Sequence, residues 1–302
     1  MNDTRDTKRS LVICGWKRDM LFLIESILVE NSMIEAKDIV VIANVDESMI
    51  ETVVRQNQQL HQICFIRGDC LNDKHLLDAG VNNAKRIIIV ADESNPCAIP
   101  VDIDMRTVTT ANTIRGLNHD ALLCVELIDN RFKGMLENSR IDEIICSNEL
   151  TRWTLCRAGA APGYANIING ILNGNSCRIR LHEMPDGYIG RSFTELKEYF
   201  TELKNSSILI GLVENVGDRN RIREEAIRDA QKTQDIARAV NNLKKAKNVT
   251  NYSPNINPSG NYLIPRNTLA IVMESKSEPI QNSDDIPANL EVREIWDIVP
   301  LV

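Results

Sequence analysis

The chain of 302 residues is poor in aromatics, at 4%, so Ile, Val, Leu and Ala must fill whatever core it has. It has no excess of basic charge. The net charge is -7, which argues against a nucleic-acid partner, since such a partner requires a basic face. Runs of apolar residues are short. None approaches the roughly 20 residues of a membrane span, and the opening MNDTRDTKRSLVIC is too polar for a signal peptide. The expectation is a cytoplasmic protein for which any membrane span is supplied elsewhere. The eight cysteines form no CxxC pair, and the four histidines (His61, His75, His119, His182) lack ligand spacing, so zinc is not expected. Cys14, Cys64, Cys124 and Cys146 lie in or beside apolar strand-like runs and are expected to be buried free thiols.

What is present is alternation. Residues 10–16, 38–44, 63–69, 86–92, 121–127 and 143–147 are short, nearly continuous apolar runs, read as strands. Between them, 19–30, 48–56, 73–80, 105–116 and 132–140 carry helical spacing. Apolar strands alternating with helices predict an α/β fold, a doubly wound parallel Rossmann-like sheet with both faces covered. Residues 149–173 break the rhythm and read as helix, turn at Gly159–Gly163, helix. Beyond them, 177–184, 207–216 and 267–274 read as strands and 192–203 as a helix, giving a smaller α+β C-terminal lobe. Residues 217–247 read as an amphipathic helix, 248–262 as a polar loop, and 275–290 as a linker before a short apolar end. The expected domains are 1–148, a helix-turn-helix crossover at 149–175, and 176–302.

Two clusters at the strand ends carry candidate chemistry. A dinucleotide fingerprint places GxGxxG after the first strand, so that the backbone can approach a pyrophosphate. Here the six positions are Gly15, Trp16, Lys17, Arg18, Asp19 and Met20, and only the first glycine remains. Asn44 and Asp46 end the second strand and offer partners for a ribose, and Gly68 and Asp69 end the third. NAD or another adenine nucleotide is therefore a possible ligand, against which the missing glycines and Asp19 weigh. The second cluster is Asp92 and Glu93 after the fourth strand with Glu126 and Asp129 at the end of the fifth, with Asp102 and Asp104 as further donors. Carboxylates converging on one sheet edge repel unless a cation shares them, and calcium takes six to eight oxygens.

The order of these features resembles RCK domains of the TrkA-N type. It runs from Gly15 through Asn44 and Asp46, Gly68–Asp69 and LLDAGVNNAKRIIIVADES at 76–94. CGWKRDM at 14–20 is similar to calcium-gated prokaryotic potassium channels, and more so to the CASTOR/POLLUX channels of plants and their bacterial relatives. ADESN at 91–95, residues 104–115, VELID at 125–129 and SNEL at 147–150 fit the latter. The likeness covers 10–173 well, and 177–274 resembles the smaller RCK-C lobe more loosely. It implies a cytosolic ligand-sensing module at the inner face of a membrane. Such modules form homo-oligomers, dimers building into an octameric gating ring, and control a potassium or related cation channel. It also implies that Glu126 stands where calcium-gated relatives carry a ligand glutamate, while their ligand aspartate falls nearest Ala91. Two alternatives remain. One is a free-standing nucleotide-binding regulatory subunit of a potassium uptake system, which would carry an intact GxGxxG. The other is a Rossmann-fold NAD-dependent oxidoreductase, which would need a phosphate loop and a catalytic acid or base. Neither requirement is evident, and no enzymatic activity is expected.

Overall fold

The structure is a computed structural model. It describes residues 11–217 and 252–275 with Glu224, Ile227 and Arg228, apart from 32–33, 137–138, 173, 175–176 and 204–206. Most of the helix read at 217–247, and the linker and apolar end beyond 275, lie outside the described residues. The chain divides into two compact units, 1–161 and 162–302. Among the described residues, no helix is long and apolar enough to cross a membrane.

In the first unit, six parallel strands alternate with helices. They are β1 (Leu11–Cys14), α1 (Met20–Glu30), β2 (Ile39–Ala43), α2 (Glu47–Gln56), β3 (Cys64–Arg67), α3 (Asp73–Asp78), β4 (Arg86–Ile89), α4 (Pro100–Leu117), β5 (Leu122–Leu127), α5 (Lys133–Leu136) and β6 (Glu143–Cys146). The sheet order is β3-β2-β1-β4-β5-β6, so the order reverses at β1 and β4. That is the doubly wound arrangement expected, and it sets the ends of β1, β4 and β5 along one crevice. The central strands are apolar because both faces are covered. All four β1 residues are fully shielded, each aliphatic contributing about 1.5–3 kcal/mol.

The edges follow a different rule. In β3 both end residues, Cys64 and Arg67, are exposed, so the expected burial of Cys64 is corrected. An edge strand has no neighbour to cover its outer side. Cys14 and Cys146 are buried as expected, Cys124 is partly buried, and all eight cysteines are free. The fourth helix starts at Pro100, not near 105. Proline at the first helical position has no amide to waste, so it begins the helix. The helix expected at 132–140 is a single turn, Lys133–Leu136, after a 3-10 turn at Asn130–Phe132. α6 (Ser147–Ala160) closes this unit, with Leu150, Trp153 and Leu155 exposed.

The second unit opens with α7 (Tyr164–Leu172). Its sheet is antiparallel, order β7-β10-β8-β9, from β7 (Cys177–His182), β8 (Ser207–Glu214), β9 (Ser253–Ile256) and β10 (Leu269–Ser275). α8 (Phe193–Leu203) lays Phe193, Leu196 and Phe200 on Leu209, Leu212, Ala270 and Val272. The strand β9 corrects the polar loop expected at 248–262. Its Pro254 lacks an amide but lies on an edge strand, where no outer partner is needed. Gly211 permits this pairing, because a Cβ there would meet the Asn255 carbonyl oxygen at 2.6 Å.

Candidate functional site at the strand ends

The crevice is built from the exit of β1. Gly15 has φ +99°, and its amide donates to the Ile42 carbonyl at 2.9 Å. A Cβ at Gly15 would meet the Val90 side chain and carbonyl oxygen at 3.0 Å. Only glycine combines that backbone angle with that approach. The turn brings residues 16–18 over the end of β4.

There the loop is stapled down by carboxylates. The Trp16 amide donates to Asp92 Oδ1 at 3.2 Å, and the Arg18 amide to Glu93 Oε2 at 3.0 Å. The Glu93 amide returns a bond to the Trp16 carbonyl at 2.7 Å. Lys17 extends its ammonium between two acids, 3.0 Å from Glu126 Oε1 and 3.3 Å from Glu93 Oε1. The other oxygen of Glu126 accepts from the Ala91 amide at 3.0 Å. The contacts of Lys17 are partly shielded, the lysine side chain being 19%, Glu126 20% and Glu93 32% exposed.

This arrangement answers both questions raised by the residues. Amides at a first-strand exit are what a dinucleotide fold offers to a pyrophosphate. Here two of them are already satisfied by acid side chains that would repel phosphate. The converging carboxylates do require a cation, and the Lys17 ammonium supplies it. Lys17 is thereby committed to Glu93 and Glu126.

Burial works against the charge on both sides of this contact, yet the partners prevail. Lys17 is held above the usual lysine range, because the hydrogen bond and charge of Glu126 outweigh desolvation. Glu93 is held below the usual glutamate range, because the Arg18 amide and the Lys17 charge outweigh desolvation. A carboxylate with a lowered folded pKa contributes stability above its unfolded range and loses it as pH falls through the folded value. Acid denaturation should therefore include a component below the ordinary glutamate range that Glu93→Gln removes. Equal acid limbs for the two proteins, followed by circular dichroism, would count against this reading of Glu93.

The remaining expected residues are distributed along the same edge. Asp69 is half-exposed and engaged, its Oδ1 accepting from the Leu71 amide at 3.0 Å and from Arg106 at 2.7 Å. Its amide donates to His75 Nδ1 at 3.0 Å. Gly68 is needed beside that ring, since a Cβ there would meet it at 3.0 Å. Asn44 and Asp46 are exposed, and Asp46 lies 3.6 Å from Arg67. Asp129 turns away to the Arg131 amide and guanidinium, both at 2.9 Å, which hold it below the usual aspartate range. Asp102 is exposed on α4. Asp104 is fully buried and spends both oxygens on the Ile128 and Asp129 amides, at 2.7 and 2.9 Å. It positions the exit of β5 and offers no free oxygen to a cation.

Thus Glu93 and Glu126 share a partner, Asp92 lies beside them on the loop amide, and Asp129 belongs to a separate turn. Among the described residues, no three His, Cys, Asp or Glu side chains gather as a metal-ligand group. The donors are of the kind calcium prefers, carboxylate oxygens. Their count at one point falls short while Lys17 stands between them.

Residues 6–125 match the family model of the calcium-activated potassium channel slowpoke-like RCK domain. The calcium-gated potassium channel TvoK of Thermoplasma volcanium is 28% identical over 163 residues, 53% of this chain and 43% of the relative. The putative potassium channel protein YugO of Bacillus subtilis is 26% identical over 208 residues, 68% of this chain and 58% of the relative. The chain therefore spans about half the length of the curated relatives it matches. Among solved structures, the human SLO3 gating ring is similar with a TM-score of 0.55 and 15% identity. That match covers 87% of this chain and 43% of the other, and it supports the fold.

Proposed function

We propose that this chain, similar to the RCK domains of potassium channels, is a ligand-sensing regulatory domain on the cytosolic side of a potassium or related cation channel. One observation carries the choice of ligand class. Asp92, Glu93 and Glu126 already occupy the Trp16 and Arg18 amides and the Lys17 ammonium. A dinucleotide would have to displace acid side chains from those amides and then face their charge. A cation has only to compete with a lysine. The crevice therefore favours a divalent cation over NAD or another adenine nucleotide, and this disfavours both the nucleotide-binding subunit and the NAD-dependent oxidoreductase.

Calcium is the cation of choice. Glu126 and Glu93, with Asp92 beside them, would hold it, and Lys17 is the group that must withdraw. Bound calcium would supply two positive charges in place of one. The loop at 15–18 is tied to those same carboxylates, so withdrawal of Lys17 loosens the β1 exit from β4 and β5. A ligand shifts the equilibrium between two shapes only by its difference in affinity for them, and the exchange of Lys17 supplies that difference. Assembly would use the exposed apolar residues Leu150, Trp153 and Leu155 of α6 and Ile167 and Leu172 of α7. Dimers joined through the 149–175 hairpin would build toward a ring of eight beneath a membrane pore domain.

Thermal melting under calcium titration tests the proposal. Calcium at roughly millimolar concentration should raise the melting temperature of the wild type by a few degrees, and Glu126→Gln should abolish the rise. A wild type indifferent to calcium would remove the site. Micromolar binding of NAD by calorimetry would overturn the preference for a cation.

A further inference from the structure

A pair of thiols lies directly beneath the crevice, and neither the fold nor the proposed cation site uses it. Cys14 is the last residue of β1 and is fully buried, while Cys70 is partly exposed at the turn after β3. Fifty-five residues separate them in sequence, yet they share one acceptor region. The Ile42 carbonyl receives the Gly15 amide at 2.9 Å and the Cys70 thiol at 3.5 Å. Cys70 packs against the core cluster that contains Cys14, and Cys14 is the β1 residue paired with Ile42, so both cysteines flank the same residue of β2. The Cys70 carbonyl is in turn bonded by Thr110 of α4 at 3.4 Å.

We infer that Cys14 and Cys70 form a reversible disulfide when the protein meets a hydroperoxide, making the turn at Gly68–Asp69 a redox modification site. Cys70, the less buried of the two, reacts first as its thiolate. It takes one oxygen atom from hydrogen peroxide, becoming a sulfenic acid and leaving hydroxide, which a proton converts to water. The Cys14 sulfur then attacks the Cys70 sulfur. The S–S bond forms, the S–O bond breaks, and the oxygen leaves as water with the Cys14 proton. In sum, two thiols and one hydrogen peroxide give one disulfide and two waters. A thiol reductant reverses the bond by attack at the sulfur of Cys70, the less buried of the two cysteines.

The pairing has two structural consequences. It ties the residue before Gly15 to the turn that presents Asp69 to Arg106 and His75. It also assigns the resolving step to a buried thiol, Cys14, which contact with Cys70 and burial hold well above the ordinary cysteine range.

The test uses the full chain under native conditions, treated with hydrogen peroxide, alkylated, digested and analysed by mass spectrometry. The inference predicts a linked peptide joining Cys14 and Cys70 in the wild type, lost on treatment with dithiothreitol. The link should be absent from Cys70→Ser. In Cys14→Ala, the dimedone adduct at Cys70 should rise severalfold over wild type, because the resolving sulfur is gone. Melting profiles of both variants establish that they are folded before comparison. Two outcomes would overturn the inference. One is oxidation confined to the exposed Cys64, Cys97 and Cys156 while Cys70 stays reduced. The other is an equal dimedone adduct at Cys70 in wild type and Cys14→Ala. The result does not depend on calcium, so it stands or falls apart from the proposed function.

Discussion

Replacing Lys17 by methionine is expected to lower the calcium concentration that stabilises this chain about tenfold. The reasoning starts from competition. In the wild type, calcium gains Glu93 and Glu126 only as the ammonium leaves oxygens 3.3 and 3.0 Å away. Exposed ion pairs are worth about 0.2–1 kcal/mol each, and two half-shielded contacts come to about 1.4 kcal/mol, a factor of ten in affinity. Methionine keeps the length of the apolar stem and removes the charge. Without calcium the variant should melt below the wild type, since Glu93 and Glu126 then face each other uncompensated. With calcium it should recover. Calorimetric titration of both proteins measures the shift directly. Unchanged or weaker calcium binding in Lys17→Met would mean that the lysine is a passive strut.

Arg115→Leu is expected to destabilise the first unit by about 3–5 kcal/mol, without altering the crevice chemistry. Arg115 is 8% exposed and lies on the last turn of α4. Its Nη1 donates to the carbonyls of Ala121 at 2.8 Å, His119 at 2.9 Å and Asn118 at 3.4 Å. Its Nη2 meets Asp142 Oδ2 at 3.0 Å, an oxygen that also accepts from the Leu123 amide at 2.8 Å. One guanidinium thus fixes the turn from α4 into β5 and the start of β6. Leucine fills much of the space but leaves the partly buried Asp142 carboxylate without its counter-ion. That carboxyl is already pushed above the usual aspartate range by burial, against the pull of the Leu123 amide and Arg115. Denaturant unfolding gives the loss. A loss under about 1 kcal/mol would show that water replaces the guanidinium at this turn.

These two lysine and arginine contacts show where sequence reading stops. The strands were legible because their chemistry is local. LVIC, IVVIA and RIII are apolar throughout, and helical spacing lies between them. Gly15 and Gly68 were legible as turn residues at strand ends. The role of Lys17 was not, because its partner Glu126 is 109 residues away and only the sheet order brings them together. The clue was nonetheless present. Acidic residues at two neighbouring strand exits demand a cation, and Lys17 is a basic residue at a third exit on the same edge. The start of α4 was read five residues late because VDID looks like a loop, although Pro100 marks a first helical position. β9 was hidden by its composition. SPNI has one strong strand former and a proline, and it is a strand only because β8 offers it an edge at Gly211. Asp104 illustrates the opposite error. A carboxylate near the site suggested a ligand, but burial commits both its oxygens to backbone amides.

The central claim is that the crevice exchanges Lys17 for a divalent cation, and a density map of the chain at millimolar calcium tests it most directly. The account predicts density for an ion bridging Glu93 and Glu126, with the Lys17 ammonium withdrawn from both. Lys17 still seated between the two glutamates, with no ion bound there at saturating calcium, would contradict it.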